Sequence, residues 1–183
     1  MPDLSRLLEQ YLKGAKRIAL LAVGSELRAD DAAGLLIAQK LLPFSKTKKL
    51  CPKLKIFVGE TAPENLTGEI RKFNPDHLVI LDSADTGKKP GTVMSISPQE
   101  VGGISFSTHQ LPLKLMIQYL QESLSCAVTI VGVQPGDLHF GAPMSKEVRA
   151  SSLEVARNLK KAVQSVLCPR QPAEKRRVKT NRS

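Results

Sequence analysis

The chain alternates short, unbroken apolar runs with longer segments in which apolar residues recur every three or four positions. Unbroken runs of this length are typical of buried parallel strands, and the periodic segments are typical of the helices that connect them. We expect five strands, at 17–23, Leu54–Val58, His77–Leu81, Gly91–Ile96 and Ala127–Val133. We expect helices at 4–13, about 31–42, 64–73, Gln110–Leu124 and Ser145–Leu167, with Pro43 ending the second of them.

Strands that alternate with helices predict a sheet whose strands are joined by right-handed crossovers. We therefore predict an α/β fold with three α/β/α layers. It would be a twisted, mostly parallel sheet of about five strands with helices on both faces. No internal repeat or second domain is evident, so residues 1–168 are interpreted as a single domain.

Composition restricts the location and the chemistry of this domain. The chain is 42% hydrophobic and contains no Trp, so aliphatic side chains must build the core. Its three cysteines are scattered (Cys51, Cys126, Cys168), which favours a reducing compartment over a disulfide framework or a structural zinc site. No signal peptide or membrane-spanning run is evident, so we expect a cytoplasmic protein without membrane insertion.

The net charge of +10 raises the question of nucleic-acid binding. Residues 169–183 contain six Lys or Arg and one Glu, and so hold half of that charge in a tail that we expect to be disordered. Such a tail can contact RNA or an acidic partner, or it can simply increase solubility. The folded part has no clustered basic and aromatic surface, so we do not expect nucleic-acid binding.

Acidic residues and a histidine follow the predicted strands. Asp30 and Asp31 come after the first strand, Asp82 after the third, and His109 before the fourth helix. Because parallel strands end at the same edge of a sheet, we expect these side chains to converge there. Two carboxylates and one imidazole suit a divalent metal with open positions, or a carboxylate pair that activates water.

Each of these residues also has a structural alternative. One of the paired aspartates is sufficient to cap the following helix, which leaves the other free for a site. Glu60 and Asp85 also follow strands, but Glu60 is more simply explained as a cap or a charge balance. His139 lies in a glycine-containing loop and is a further candidate, whereas His77 and Cys126 are interpreted as structural.

Absent motifs leave several enzyme classes without support. There is no GxSxG, HExxH, GxGxxG or GxxxxGK[ST] pattern, so serine-hydrolase, zincin and phosphate-loop chemistry have no basis in the sequence. From these residues alone, we predict either an α/β hydrolase or a metal-binding domain, and nothing more specific.

Five segments in order carry a more specific signal: VGSELRADDAAG, GETAPEN, VILDSADTGKKPG, STHQLP and GVQPGDLHFGAPMS. Together they resemble the hydrogenase maturation proteases, endopeptidases that trim the carboxyl-terminal extension from the large subunit of [NiFe] hydrogenases. The similarity spans roughly 17–165 and is strongest to the branch that acts on hydrogenase 3. Ala32 stands where that family usually has Gly, and Ala disfavours a positive φ.

The resemblance implies a site and a partner. By motif, Asp31, Asp82 and His109 match the family's nickel-contacting residues, so they are expected to be both the catalytic and the metal-contacting groups. The nickel would be carried by the large-subunit precursor and would act as the recognition signal. We expect a monomer. Two other functions remain open: a nickel-sensing chaperone that binds the large subunit without cutting it, and an RNA-associated module that depends on the basic tail.

Overall fold

The computed structural model describes residues 4–48, 50, 52–98, 105–106 and 110–169. The helices are α1 (Leu4–Leu12), α2 (Ala33–Ser45), α3 (Thr67–Phe73), α4 (Gln110–Ser123) and α5 (Lys146–Leu167). The strands are β1 (Ile18–Val23), β2 (Leu54–Glu60), β3 (His77–Asp85), β4 (Val93–Ile96), β5 (Ser105–Phe106) and β6 (Ala127–Val133). Residues 170–183, most of the predicted tail, lie outside the described part.

The main sheet has the strand order β2-β1-β3-β6-β4. Strands β2, β1, β3 and β6 run parallel, whereas β4 pairs antiparallel with β6 at one edge. The short β5 pairs antiparallel with the end of β3, at Ala84 and Asp85. The prediction of a mostly parallel sheet of about five strands is therefore confirmed.

Side chains alternate between the two faces of the central strands and bury each face under helices. One face of β1 packs under α1, α2 and α5, through residues such as Ile18 and Leu20. The other face, with Ala19 and Leu21, packs under α3 and α4. This arrangement confirms the three α/β/α layers. No helix in the described part of the chain is long and apolar enough to cross a membrane.

Several predicted boundaries are wrong, and those of α2 and β3 bear on the site. Helix α2 begins at Ala33 rather than near 31, and it continues through Pro43 to Ser45. Pro43 lies in the last turn, so only the bond from its missing N–H to the Gln39 carbonyl is lost, and the Ser45 hydroxyl donates to the carbonyl of Leu42 at 2.8 Å. Strand β3 does not end at Leu81 but extends to Asp85, because β6 and β5 both pair with its last residues.

Gly34 allows α2 to lie directly on the sheet. A Cβ at this position would come within 2.2 Å of the Leu81 carbonyl oxygen and 2.7 Å of the Val23 carbonyl oxygen. We expect Gly34→Ala to lower the free energy of unfolding by about 3 kcal/mol, because two strand backbones would have to move. Urea unfolding measures this change.

Gly68 offers a matched control within α3, since nothing lies within 4 Å of the position that a Cβ would take there. Gly68→Ala should raise the free energy of unfolding by about 0.5–1 kcal/mol, because Ala is the better helix former. Equal effects of the two substitutions would show that close packing at Gly34 does not matter.

His77 lies at the amino end of β3, at the opposite end of this strand from Asp82. It is buried, and its Nε2 lies 2.9 Å from the Thr129 hydroxyl oxygen. Burial lowers the pKa of His77 from its ordinary value of 6.5. This environment agrees with the structural role that we predicted.

The lowered pKa of His77 makes folding sensitive to acid. As the pH falls through about 6.5, the unfolded chain binds a proton at this residue while the folded chain resists it, so stability decreases. Below the folded-state pKa the loss levels off. We expect the loss of unfolding free energy between about pH 7.5 and about pH 5.5 to be smaller in His77→Gln than in the wild type. Identical pH dependence in urea titrations of the two proteins would contradict this.

Candidate active site

A tight turn after β1 holds the paired aspartates at the carboxyl edge of the sheet. Asp30 and Asp31 lie in a short 3₁₀ helix, Ala29–Ala32, directly before α2. Gly24 allows this turn to form, because it has a φ of 128° and its Cβ would lie 1.9 Å from the Asp31 carbonyl oxygen. Ala32 has a φ of −74°, so Ala fits a position where the related family usually has Gly.

Asp30 is a structural residue. It is fully buried, and its carboxylate accepts four hydrogen bonds from the segment before α5. The donors are the backbone N–H groups of Gly136 (2.8 Å), Asp137 (2.9 Å) and Ser145 (2.6 Å), and the Ser145 hydroxyl (3.0 Å). Its side chain thus joins the first loop to the start of the last helix rather than capping α2.

Asp31 has a very different environment although it is the next residue. Its side chain is 1% exposed, and one oxygen, Oδ1, accepts a hydrogen bond from the Ser83 hydroxyl at 3.2 Å. The other oxygen, Oδ2, is buried without a hydrogen-bond partner among the described residues. A buried carboxylate oxygen without a donor is costly, and it is well suited to contact a cation.

Ser83 links Asp82 to Asp31. Asp82 is fully buried within β3, and its Oδ1 accepts the Ser83 backbone N–H at 2.7 Å. Ser83 therefore donates to both aspartates, through its hydroxyl to Asp31 and through its N–H to Asp82. Opposite Asp82 in the register stands Gly132 of β6. Sequence reasoning missed Ser83, although its position directly after Asp82 in the strand was a usable signal.

His109, the third predicted site residue, lies outside the described residues. Its role remains a prediction. Within the described ranges, no group of three or more His, Cys, Asp or Glu side chains is arranged to hold a metal ion. The metal-contacting role of Asp31 and Asp82 therefore also remains a prediction.

Other sequence candidates lie in different settings. The Glu60 side chain is exposed, at the end of β2. The pKa of Asp85 lies below its ordinary value, mainly because the Gln134 side chain donates a hydrogen bond to it and also because the Gly87 backbone N–H does. The bond from Gly87 closes a turn after β3. Burial raises the pKa of the Cys126 thiol to about 11, which agrees with the core position predicted for it.

His139 lies on the loop after β6. Its side chain is 90% exposed, and its Nδ1 is hydrogen-bonded to Asp137. The His139 backbone N–H and imidazole both lower the pKa of Asp137. The pair is thus a surface pair held by a turn, next to the backbone that Asp30 binds.

Gln134 is a second residue that sequence reasoning missed. It is buried at the end of β6, and its side-chain oxygen accepts from the Thr86 N–H at 2.8 Å and the Lys88 N–H at 3.2 Å. Its side-chain nitrogen donates to Asp85 at 2.9 Å. These bonds hold the loop after β3 against the loop after β6, close to the buried aspartates.

Comparison with protein families gives a direct match. Residues 38–167 match the family model described as HycI, hydrogenase maturation protease. Asp82 lies within the matched range, whereas Asp31 precedes it.

Individual relatives agree with the family match. A protein of Methanocaldococcus jannaschii named as a hydrogenase maturation protease is 31% identical over 159 residues, which cover 85% of this chain and 94% of the relative. The hydrogenase 3 maturation protease of Escherichia coli K12 is 33% identical over 131 residues, 71% of this chain and 80% of the relative.

A solved structure shows the same fold. The crystal structure of the [NiFe] hydrogenase maturation protease HycI from Thermococcus kodakarensis superposes with a TM-score of 0.78 at 28% identity, covering 86% of this chain and 99% of that one. The family model, the relatives and the solved structure all identify hydrogenase maturation proteases. The resemblance that we based on the five sequence segments is therefore confirmed. The chain belongs to the hydrogenase maturation protease family.

Proposed function

We propose that the protein is an endopeptidase that removes the carboxyl-terminal extension of a [NiFe] hydrogenase large-subunit precursor after nickel has been inserted. The observation that carries the proposal is the pair of buried carboxylates at one edge of the sheet. One of them, Asp31, has an oxygen without a hydrogen-bond partner among the described residues. The family match and the names of the relatives support a peptidase that acts in hydrogenase maturation.

The buried aspartates explain why a metal would be recognised. Asp31 forms no salt bridge with Lys, Arg or His among the residues that the structure describes, and its Oδ2 has no hydrogen-bond partner there. Buried carboxylates favour a nearby cation, and carboxylate and imidazole groups together suit nickel. In the proposal, the nickel of the precursor is part of the substrate, and Asp31, Asp82 and His109 contact it. A precursor without nickel lacks the charge that this site complements.

Contact with the nickel would place the scissile peptide bond beside the two carboxylates. A carboxylate can then accept a proton from the attacking water, or the substrate's metal can polarise the scissile carbonyl. In both routes Ser83 holds Asp31 and Asp82 in place, since it donates a hydrogen bond to each. The protein contributes orientation and negative charge, and the peptide bond is hydrolysed to a carboxylate and an amine.

Intact mass spectrometry of a nickel-loaded precursor tests this function. We expect the wild-type protein to shorten the precursor by one carboxyl-terminal peptide. Stable binding with unchanged precursor mass would instead support the non-cleaving chaperone. A variant that ends at Cys168 addresses the basic tail: retained cleavage would exclude an RNA-associated function that depends on residues 169–183.

A further inference from the structure

Two loops at the carboxyl edge of the sheet are bonded into one unit. The Gly141 backbone N–H donates to the Leu27 carbonyl at 2.8 Å, and the Asp30 N–H donates to the Asp137 carbonyl at 3.0 Å. A longer bond of 3.4 Å joins the Arg28 Nε to the carbonyl of Leu138. Together with the four bonds that the Asp30 carboxylate accepts, these contacts fix the first loop against the loop after β6.

This unit presents two large apolar side chains to solvent. Phe140 is 77% exposed and Leu27 is 59% exposed, the two highest values for large apolar residues in the described part of the chain. Their backbones are neighbours, because the Leu27 carbonyl accepts a hydrogen bond from the N–H of Gly141, the residue that follows Phe140. A single exposed apolar side chain is ordinary, whereas two of them on neighbouring loops with fixed backbones are a candidate contact surface.

We propose that Leu27 and Phe140, here called the rim pair, dock an apolar segment of the large-subunit precursor. This inference rests on the proposed function and identifies where the precursor binds. Leu27 precedes Asp31 by four residues, so their Cα atoms are at most about 14 Å apart. A standard protein interface covers about 800 Å² on each partner, which corresponds to a disc of about 16 Å radius. An interface of this size around Asp31 is therefore wide enough to reach Leu27, and Phe140 lies on the loop bonded to it.

The rigidity of the two loops determines what the rim pair contributes. Loops whose backbone is fixed before binding lose little backbone entropy on docking, so more of the apolar area buried there adds to affinity. Aromatic residues near the centre of an interface frequently dominate its binding energy. The rim pair should therefore act on precursor affinity and leave the hydrolytic step unchanged.

The test uses Leu27→Ser, Phe140→Ser and the double variant with nickel-loaded precursor. Stopped-flow fluorescence measures association before cleavage, and intact mass measures cleavage afterwards. We expect each single substitution to weaken binding by about tenfold and the double variant by more. The kcat at saturating precursor should stay at the wild-type value, and so should the thermal unfolding midpoint. The conservative variants Leu27→Met and Phe140→Tyr should retain affinity.

Tyr11→Ser is the matched control. Tyr11 is an exposed aromatic residue that lines a surface cavity together with His77 and Ala127, the first residues of β3 and β6 and so at the other edge of the sheet. It should bind the precursor as tightly as the wild type.

The outcomes separate the two proposals. Wild-type affinity in the double variant overturns the rim pair, whether or not the precursor is cut. Binding that is weakened only in the rim variants, with no cleavage by any protein, supports the rim pair and overturns the endopeptidase. No binding by the wild-type protein overturns both.

Discussion

Asp31→Asn is expected to reduce cleavage of the nickel-loaded precursor by at least about a hundredfold, since it removes a negative charge that acts on the metal and the reacting peptide bond. The substitution keeps the size of the side chain and an oxygen that can accept the Ser83 hydroxyl. We do not expect this substitution to destabilise the folded protein. Because a buried carboxylate oxygen without a partner is replaced, the free energy of unfolding should stay equal or rise by about 1 kcal/mol. Single-turnover cleavage and urea unfolding measure the two effects.

Glu60→Gln is the control for a general effect of charge. Glu60 ends the neighbouring strand β2, and its side chain is exposed. Its substitution should leave the cleavage rate unchanged. Equal loss of activity in both variants would mean that the overall negative charge of this edge matters, and would contradict a specific role of Asp31.

Asp30→Asn, at the adjacent position, is expected to have the opposite profile. The Asp30 carboxylate accepts hydrogen bonds from three backbone N–H groups and one hydroxyl. An amide cannot accept all of them, because its NH₂ group would face a donor. We expect the free energy of unfolding to fall by about 3–4 kcal/mol, since hydrogen bonds to a buried charged group are the costly ones to lose.

The two asparagine variants control for each other, since both replace a buried aspartate by its amide. Urea unfolding should separate them clearly, with Asp30→Asn destabilised and Asp31→Asn not. A stable Asp30→Asn protein would contradict the structural role of Asp30. Cleavage by Asp30→Asn under conditions where it is folded should exceed that by Asp31→Asn.

The sequence allows the architecture to be predicted because the central strands are buried on both faces. Runs such as Ile18–Val23 are apolar without interruption, and they leave little ambiguity about a parallel sheet. The end of β3 was not predictable from its own residues. Asp82 and Ser83 are polar, and they remain in the strand because β6 pairs with them.

The candidate site was predictable in part. Asp31 and Asp82 both contact Ser83, as expected for residues near the carboxyl ends of the neighbouring parallel strands β1 and β3. Which of the paired aspartates is structural could not be inferred locally, because the groups that bind Asp30 are more than one hundred residues away in the chain. His109 lies outside the described residues, and its part in the site stays a prediction.

The proposed recognition of nickel can be tested through the dependence of cleavage on the metal. One precursor preparation is divided into a nickel-loaded and a nickel-free sample, and both are incubated with the wild-type protein before their intact masses are compared. We expect only the nickel-loaded precursor to lose its carboxyl-terminal peptide, and we expect added nickel to restore cleavage of the other sample. Equal cleavage of both samples would contradict recognition of the metal by Asp31, Asp82 and His109.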